Sequence, residues 1–516
     1  MPKIKINGKD LDVAEGTSVI EAFKKADVHI AHYCWHPGLS VAGCCRMCMV
    51  DIEGNPKLQI ACNTTVKDGM VVSNQTEKVK ESVKWVLDFH LINHPLDCPI
   101  CDQAGECGLQ DQYMEFGKYE PEMGQRKVKK RKVIDLGERV VLDSERCILC
   151  SRCVRFTDEV TKTFELGIFH RGDHSEIGTV ADKPLNNNYS INTVDICPVG
   201  ALTSKDFRFR QRVWLLKDKD SICPGCSTGC NVKAYFNAEG VFRLKPVYNE
   251  KINGHWMCDK GRDAYKFVNK EVRLAKAIHN DNGIIAEMIP GAAAKQVAEN
   301  IKSIDKKSVA LVLTAQYTSE EIEGTIHSLK DTVDKENIFY WINNKDSFDE
   351  FDGLLYRGDK NPNTKGLLKI LSNEKIQGTW SQLEEKLSSG KIDTLIVAGP
   401  ENQVVYPDLE KQLKIFEKAK QVVWLTACPV GSLKNVLGSW QNPLKTFLEK
   451  SGTFVNVNGV EQKIKRAMTI ISEALTLNEA AALIGGGDIS VEASYETEAP
   501  IKPRVKNEFV HTRGEL

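Results

Sequence analysis

Residues 145–156 read ERCILCSRCVRF, and residues 195–202 read DICPVGAL. The first stretch spaces Cys147, Cys150 and Cys153 as C-x2-C-x2-C, and the second places Cys197 directly before Pro198. They belong to a wider concentration: of seventeen cysteines in 516 residues, sixteen lie between Cys34 and Cys258, and only Cys428 follows. The opening MPKIKINGKD has no apolar run behind a basic region, so no secretory signal is expected. No stretch approaches the roughly 18 consecutive apolar residues of a membrane span. In a reducing compartment disulfides are rare, and thiols clustered this densely read as metal ligands. The rest of the composition, 41% hydrophobic and 27% charged, is that of an ordinary globular chain of three or four domains. A formal charge of −1 argues against a nucleic-acid partner, which goes with a basic excess.

The spacing around Cys147 can be tested against a known pattern. Two-cluster bacterial ferredoxins carry C-x2-C-x2-C-x3-C-P twice, and the fourth cysteine of each run ligates the other cluster. Laid on this chain, the first run finds Thr157 where its fourth cysteine belongs. The second, ending at Cys197, finds Asn187, Ser190 and Thr193 in place of its first three. Cys197 therefore completes the set of Cys147, Cys150 and Cys153, and the ligands of the other cluster are gone. The expectation is a two-cluster ferredoxin-like fold that kept one [4Fe–4S] cluster.

Three further sets follow the same logic. Cys34, Cys45, Cys48 and Cys62 are spaced C-x10-C-x2-C-x13-C, close to the plant-type pattern for [2Fe–2S], with a zinc loop as the alternative. Cys44, beside Cys45, reads as a spare that points elsewhere. Cys98, Cys101 and Cys107 are one ligand short for a [4Fe–4S] cluster. His94, in HPLDCPIC, supplies the fourth bond, with His90 one helical turn earlier as competitor. Cys223, Cys226, Cys230 and Cys258 form C-x2-C-x3-C-x27-C, a spacing zinc also accepts, which beside the other sets reads as a third [4Fe–4S] site. Fifteen cysteines and His94 make sixteen ligands, leaving Cys44 and Cys428 over.

Between the sets, Ile4 and Ile6 before Asn7-Gly8, with Leu11 and Val13 after it, predict a hairpin. Thr17 or Ser18 would cap a helix over 19–26, and apolar spacing predicts another over 77–93. RKVKKRK (126–132) reads as a solvated connection, or more sharply as a docking strip for an acidic partner. After about residue 275, SVALVLT (308–314), NIFYWI (337–342), DTLIVAG (393–399) and QVVWLTA (421–427) read as buried parallel strands with helices between. No G-x-G-x-x-G follows a strand, and Cys428 reads as a small buried residue. Nothing here carries hydride transfer or acid–base chemistry, so no catalytic residue is assigned. One-electron centres without a substrate pocket describe an electron relay.

In their order the four sets resemble the large iron–sulfur subunit family (the G or 75-kDa type) of NADH-quinone oxidoreductase, respiratory complex I. CWHPGLSVAGCCRMC (34–48) resembles its [2Fe–2S] loop and HPLDCPICDQAGECGLQDQ (94–112) its motif of one histidine and three cysteines. ERCILCSRCVRF with DICPVGAL resembles its next cluster, and the Cys223 set an extra cluster found in some members. MCDKGRDAY (257–265), Arg273-Leu274 and SGTFVNVNGVEQ (451–462) resemble, more loosely, its molybdopterin-oxidoreductase-like part. Only about 240 residues follow position 275, fewer than in relatives, so no molybdopterin is expected.

The resemblance implies an α+β multidomain chain. A β-grasp [2Fe–2S] ferredoxin-like domain spans 1–77, a helical domain ligating its cluster through one histidine and three cysteines 78–118, and a bacterial-ferredoxin-like [4Fe–4S] domain 138–212. A molybdopterin-oxidoreductase-type N-terminal domain spans 217–274, a contracted α/β region 275–490, and an extended tail 491–516. It implies a subunit relaying electrons from NADH and FMN on a partner, through the first, third and second sets, toward quinone-side iron–sulfur subunits. The Cys223 set lies aside as a staple. The complex would pump protons, with this subunit in its peripheral arm on the cytoplasmic side of the cell membrane, without a span of its own. Two rivals stand beside this reading: an electron-transfer subunit of an NAD-linked hydrogenase or formate dehydrogenase, and a zinc-stapled scaffold without redox function.

Overall fold

The structure is a computed structural model that describes residues 1–118, 124, 126–343 and 345–489; the expected tail at 491–516 lies outside the described residues. The Asn7-Gly8 pair takes φ of +48° and +82°, the two positive values a type I′ turn demands. Lys3–Ile6 accordingly pairs antiparallel with Lys9–Asp12. Lys3–Ile6 also runs parallel to Val71–Ser73, which joins Met49–Ile52 and Gln59–Ile60 in one five-stranded mixed sheet. Of the two candidate caps it is Ser18 that starts the helix Val19–Lys25, through a reciprocal capping box with Glu21. The helix buries Val19, Ile20 and Phe23 against Ile4, Ile6, Val50 and Val72.

The second helix, Glu77–Leu91, buries Val79, Val83 and Leu87, as its spacing predicts. A nine-residue helix, Gly108–Phe116, then opens at Cys107, within the domain expected to be helical. Next comes a small sheet of Ile134–Asp135, Val140–Leu142 and Leu202–Ser204, with the short helix Arg152–Arg155 continuing as a wide turn through Phe156–Val160. Three antiparallel strands follow, Lys217–Ile222, Asn231–Asn237 and Gly240–Pro246.

The stretch 126–132 is largely exposed, as a solvated connection would be, but it is tied to the chain at several points. Lys127 donates to the carbonyls of Leu91 and Ile92 at 2.9 and 3.0 Å, and Val128 N–H to Asn93 Oδ1 at 2.9 Å. Arg131 pairs with Glu176, and Lys132 with both Asp97 and Glu145. Several of its charges meet partners on the chain itself, and the segment runs as a strap past Leu91–Asn93 and Asp97, which flank the second thiol set.

The four apolar runs form four parallel strands of a seven-stranded sheet: Val309–Thr314, Ile338–Trp341, Thr394–Ala398 and Gln421–Thr426. A fifth parallel strand, Ser439–Pro443 (SWQNP), escapes a hydrophobic pattern. Its buried Gln441 and Asn442 bond instead to the backbone of Val430 and Pro290. The antiparallel hairpin Ala277–Asp281 and Ile284–Met288 closes that edge. Strand order reverses between Val309–Thr314 and Thr394–Ala398, the place where open α/β sheets bind ligands beyond the strands' carboxyl ends. Here side chains fill it. Tyr317 Oη donates to the Gly399 carbonyl, and Lys450, 1% exposed, pairs with Glu321 and Glu401.

Candidate metal centres

Local folding gathers each sequence-defined thiol set. In the first, Cys34 and Cys45 sit on the loop before Met49–Ile52, Cys48 at the start of that strand, and Cys62 in the turn Ala61–Asn63. All four are buried. The Tyr33 N–H donates to Cys45 Sγ at 3.4 Å. Neighbouring thiols, Cys44 foremost and then Cys45 and Cys62, hold Cys34 far toward its thiolate; Cys62 does the same for Cys48. Cys44 does not turn away from the site as a spare would. Its thiol lies beside Cys34 and donates to the Cys150 carbonyl of the third set at 3.8 Å.

In the second set, Cys101 and Cys107 are buried and Cys98 exposed. The Cys98–Cys101 turn is closed by Cys101 N–H on the Asp97 carbonyl at 2.7 Å, and Cys107 caps the helix that follows. The two candidate histidines separate clearly. His90 Nε2 donates to the Cys45 carbonyl at 3.1 Å, in the first set, and its ring stands edge-on to Tyr33. His94 Nδ1 is buried with no hydrogen-bond partner, an orphan that suits a missing ligand. Burial, then Lys127 and Arg146, hold the His94 imidazolium down to about 4, so the ring is neutral at physiological pH, the form that binds metal.

In the third set, the four cysteines line one cavity with Leu142, Ile148, Ile177, Val199, Ala201 and Leu202. Burial pushes the Cys147 and Cys150 thiols up to about 12 and 11, so a metal must displace their protons on binding. The positions where a second cluster would bind are filled with satisfied polar groups. Ser190 Oγ donates to Asp259 at 2.6 Å, Thr193 Oγ1 to Ser190 O at 2.7 Å, and Thr157 Oγ1 to Val154 O at 3.0 Å. Asn187 is bonded to Glu165.

The fourth set is made by adjacent strands: Cys223 follows one, Cys230 precedes the next, and Cys223 N–H donates to Cys230 O at 2.8 Å. Cys226 lies between them, and Cys258 caps Asp259–Arg262; all four are buried. Gly225 and Gly261 N–H groups point at the sulfurs of Cys223 and Cys258, at 3.4 and 3.3 Å. Cys428 lies apart from all four, with its thiol on the Phe267 carbonyl.

Among the described residues no three His, Cys, Asp or Glu side chains converge on a point that one ion would occupy. In the third set the four cysteines line one largely apolar space together with Ser151 and Arg152, a lining that would suit a multi-iron core in which each thiolate holds its own iron.

The sets are neighbours. Arg152 donates to the carbonyls of Trp35 and Ile196, and Arg155 to those of Cys34 and Ser40, tying the third set to the first. Gly108 N–H donates to Pro198 O at 2.8 Å, and Gly200 lies against the Cys101 sulfur, joining third to second. Glu106 links the second set to the fourth unit through Arg243 and Lys245. The Trp256 ring, two residues before Cys258, contacts His36 and Phe156 of the first and third units. Sequence reasoning missed Arg152, Arg155 and the role of His90; arginines interleaved with thiols in CSRCVRF were the available signal.

Four family models match this part of the chain. They are a 2Fe-2S iron-sulfur cluster binding domain at residues 2–77, and the NADH-ubiquinone oxidoreductase-G iron-sulfur binding region at 84–122. The others are the ferredoxin-like domain of NADH-quinone oxidoreductase subunit 3 at 137–203 and the molybdopterin oxidoreductase Fe4S4 domain at 216–270. The chain is 39% identical to the G subunit of NADH-quinone oxidoreductase from Rickettsia felis over 314 residues, 60% of this chain and 46% of that one. It is 40% identical to the mitochondrial NADH dehydrogenase [ubiquinone] iron-sulfur protein 1 of Solanum tuberosum over 328 residues, 63% of this chain and 42% of that one. The aligned part thus spans under half the length of these curated relatives. A solved structure of an NAD+-reducing [NiFe]-hydrogenase in the H2-reduced state matches 41% of this chain and 91% of its own, at 27% identity and a TM-score of 0.38.

Proposed function

We propose that this chain is an iron–sulfur electron-relay subunit of an NADH:quinone oxidoreductase, passing electrons from an NADH- and FMN-binding partner toward quinone in a proton-pumping respiratory complex. The observation that carries the reading is the contiguity of three thiol sets, first against third and third against second, within a chain homologous to the large iron–sulfur subunit of that enzyme. Transfer would run first, third, second, as in the family; the contacts join each pair of these sets, the first and second directly through His90 and the Cys45 carbonyl. The fourth set, held by ion pairs and ring contacts, acts as a staple at the root of the large sheet.

Cys34, Cys45, Cys48 and Cys62 would hold one [2Fe–2S] cluster. Three [4Fe–4S] clusters would be held by His94 with Cys98, Cys101 and Cys107, by Cys147, Cys150, Cys153 and Cys197, and by Cys223, Cys226, Cys230 and Cys258. When bound, such clusters supply one-electron storage. The chain's own groups fix the thiolates, aim N–H donors at sulfur, and exclude water with Leu142, Ile177 and Val199. The mixed sheet and crossing helix of the first unit support its reading as a β-grasp. The filled crevice at Lys450 speaks against molybdopterin in the last region. Among the described residues no helix is long and apolar enough to cross a membrane; the subunit would be peripheral, on the cytoplasmic side, held by the flavin-side and quinone-side subunits.

Anaerobic purification with metal analysis and EPR tests this. One two-iron and three four-iron clusters predict about fourteen irons per chain, and co-purification of a flavin-bearing partner is expected. Mainly zinc, or iron for fewer clusters without partners, overturns it.

A further inference from the structure

Three arginines near the thiol sets have carboxylate partners, whereas Arg155 and Arg212 have none among the described residues and bond instead to backbone carbonyls beside the first and second sets. Arg146 pairs with Asp97 and Asp143, Arg243 with Glu106, and Arg262 with Asp195. Arg152 belongs with the unpaired ones. Its Nη2 donates to Trp35 O at 2.6 Å and its Nη1 to Ile196 O at 3.0 Å, while its Nε is buried without a partner. Among the described residues no carboxylate forms an ion pair with it. Arg152 lines the cavity of the third set together with Cys147, Cys150, Cys153 and Cys197, and Cys34 and Cys45 of the first set act on its charge as well.

A desolvated cation without a counter-charge costs several kcal/mol, and arginine does not shed its proton to escape that cost. The missing anion must come from what the thiols hold. A thiolate-ligated iron–sulfur core is net negative, and gains one more negative charge on reduction. The two carbonyls that grip Arg152 belong to residues adjoining Cys34 and Cys197, so the guanidinium is fixed between the two sites rather than assigned to either.

We propose that Arg152 is the shared counter-charge of the first and third cluster sites, a positioning residue that raises the reduction potential of both. This rests on the relay reading above. A fixed positive charge stabilises each reduced state more than each oxidised state, because the reduced state is the more negative. With its Nε buried, its charge is screened less by salt than that of an exposed arginine.

The test uses the full chain with its clusters, in potentiometric titrations followed by EPR, after iron content has been matched to wild type. In Arg152→Gln the reduced-to-oxidised ratio at fixed potential falls about tenfold for both the first and third clusters, equivalent to 59 mV for a one-electron centre. Arg152→Lys keeps the charge and holds both ratios within about threefold, whereas Arg171→Gln, an exposed control, leaves them unchanged. The proposal is overturned if either ratio stays put in Arg152→Gln at full iron content, or if Arg152→Lys shifts both as far as Gln does. Should Gln cost a cluster, the Lys variant decides alone: retained ratios support the charge, and a tenfold fall refutes it. A wild-type chain without clusters would fail the relay reading; intact clusters with unmoved ratios fail only this inference.

Discussion

If His94 is a ligand as proposed, replacing it by cysteine would turn a neutral ligand into a thiolate at a buried site. The imidazole carries no charge at physiological pH because burial, with Lys127 and Arg146 behind it, holds its protonated form down to about 4. The variant therefore adds one full negative charge beside the second cluster. At about 4 Å and an effective dielectric near 20, the added repulsion against an incoming electron is about 4 kcal/mol. At about 1.4 kcal/mol and 59 mV per tenfold, the midpoint should fall by roughly 170 mV. Lys127 and Arg146 face the site in both proteins, so their field does not cancel the difference. Potentiometric EPR titration of the full chain reads the shift directly. A His94→Cys chain with full iron and a midpoint within about 20 mV of wild type would refute His94 as ligand and the charge argument with it. His90→Ala should leave the second cluster in place, since His90 is engaged with Cys45.

Two further outcomes follow from packing. A Cβ on Gly200 would overlap the Cys101 sulfur and press on Gln103. Gly200→Ala should therefore cost the second cluster, about four irons per chain, while the EPR signal of the first survives; unchanged iron content would sink the contact. Arg273 and Glu449, 0% and 1% exposed, pair at 2.6 Å, and Arg273 also donates to the carbonyls of Ala427, Val268 and Leu444. Arg273→Met strands the Glu449 charge and should destabilise the last region by about 3–5 kcal/mol, read as a lower denaturation midpoint in the fluorescence of buried Trp424 and Trp440. An unmoved midpoint would show that the pair is dispensable.

What is legible in the sequence is periodicity and spacing. The thiol sets are readable because ligand geometry fixes intervals along the chain, and the strands around Leu311, Ile396 and Val423 because their apolar runs are unbroken. Ser439–Pro443 is not, since Gln441 and Asn442 are buried by virtue of partners outside the strand, one of them far away in the chain. The strap at 126–132 escapes for the same reason: a run of charges does not announce which carboxylates it will meet. Arg152 shows the limit most plainly, because its meaning lies in the absence of a carboxylate from a space built by residues 35, 152 and 196. Cys44 belongs here too; adjacency to Cys45 cannot reveal that its thiol reaches a carbonyl 106 positions on.

Gly200 lies against the Cys101 sulfur and the Pro198 carbonyl holds Gly108, so the second and third sets share one wall. A change on either side of it would be felt on the other: bulk added at Gly200 presses on Cys101, and loosening the turn after Cys197 would free the start of the helix that follows Cys107.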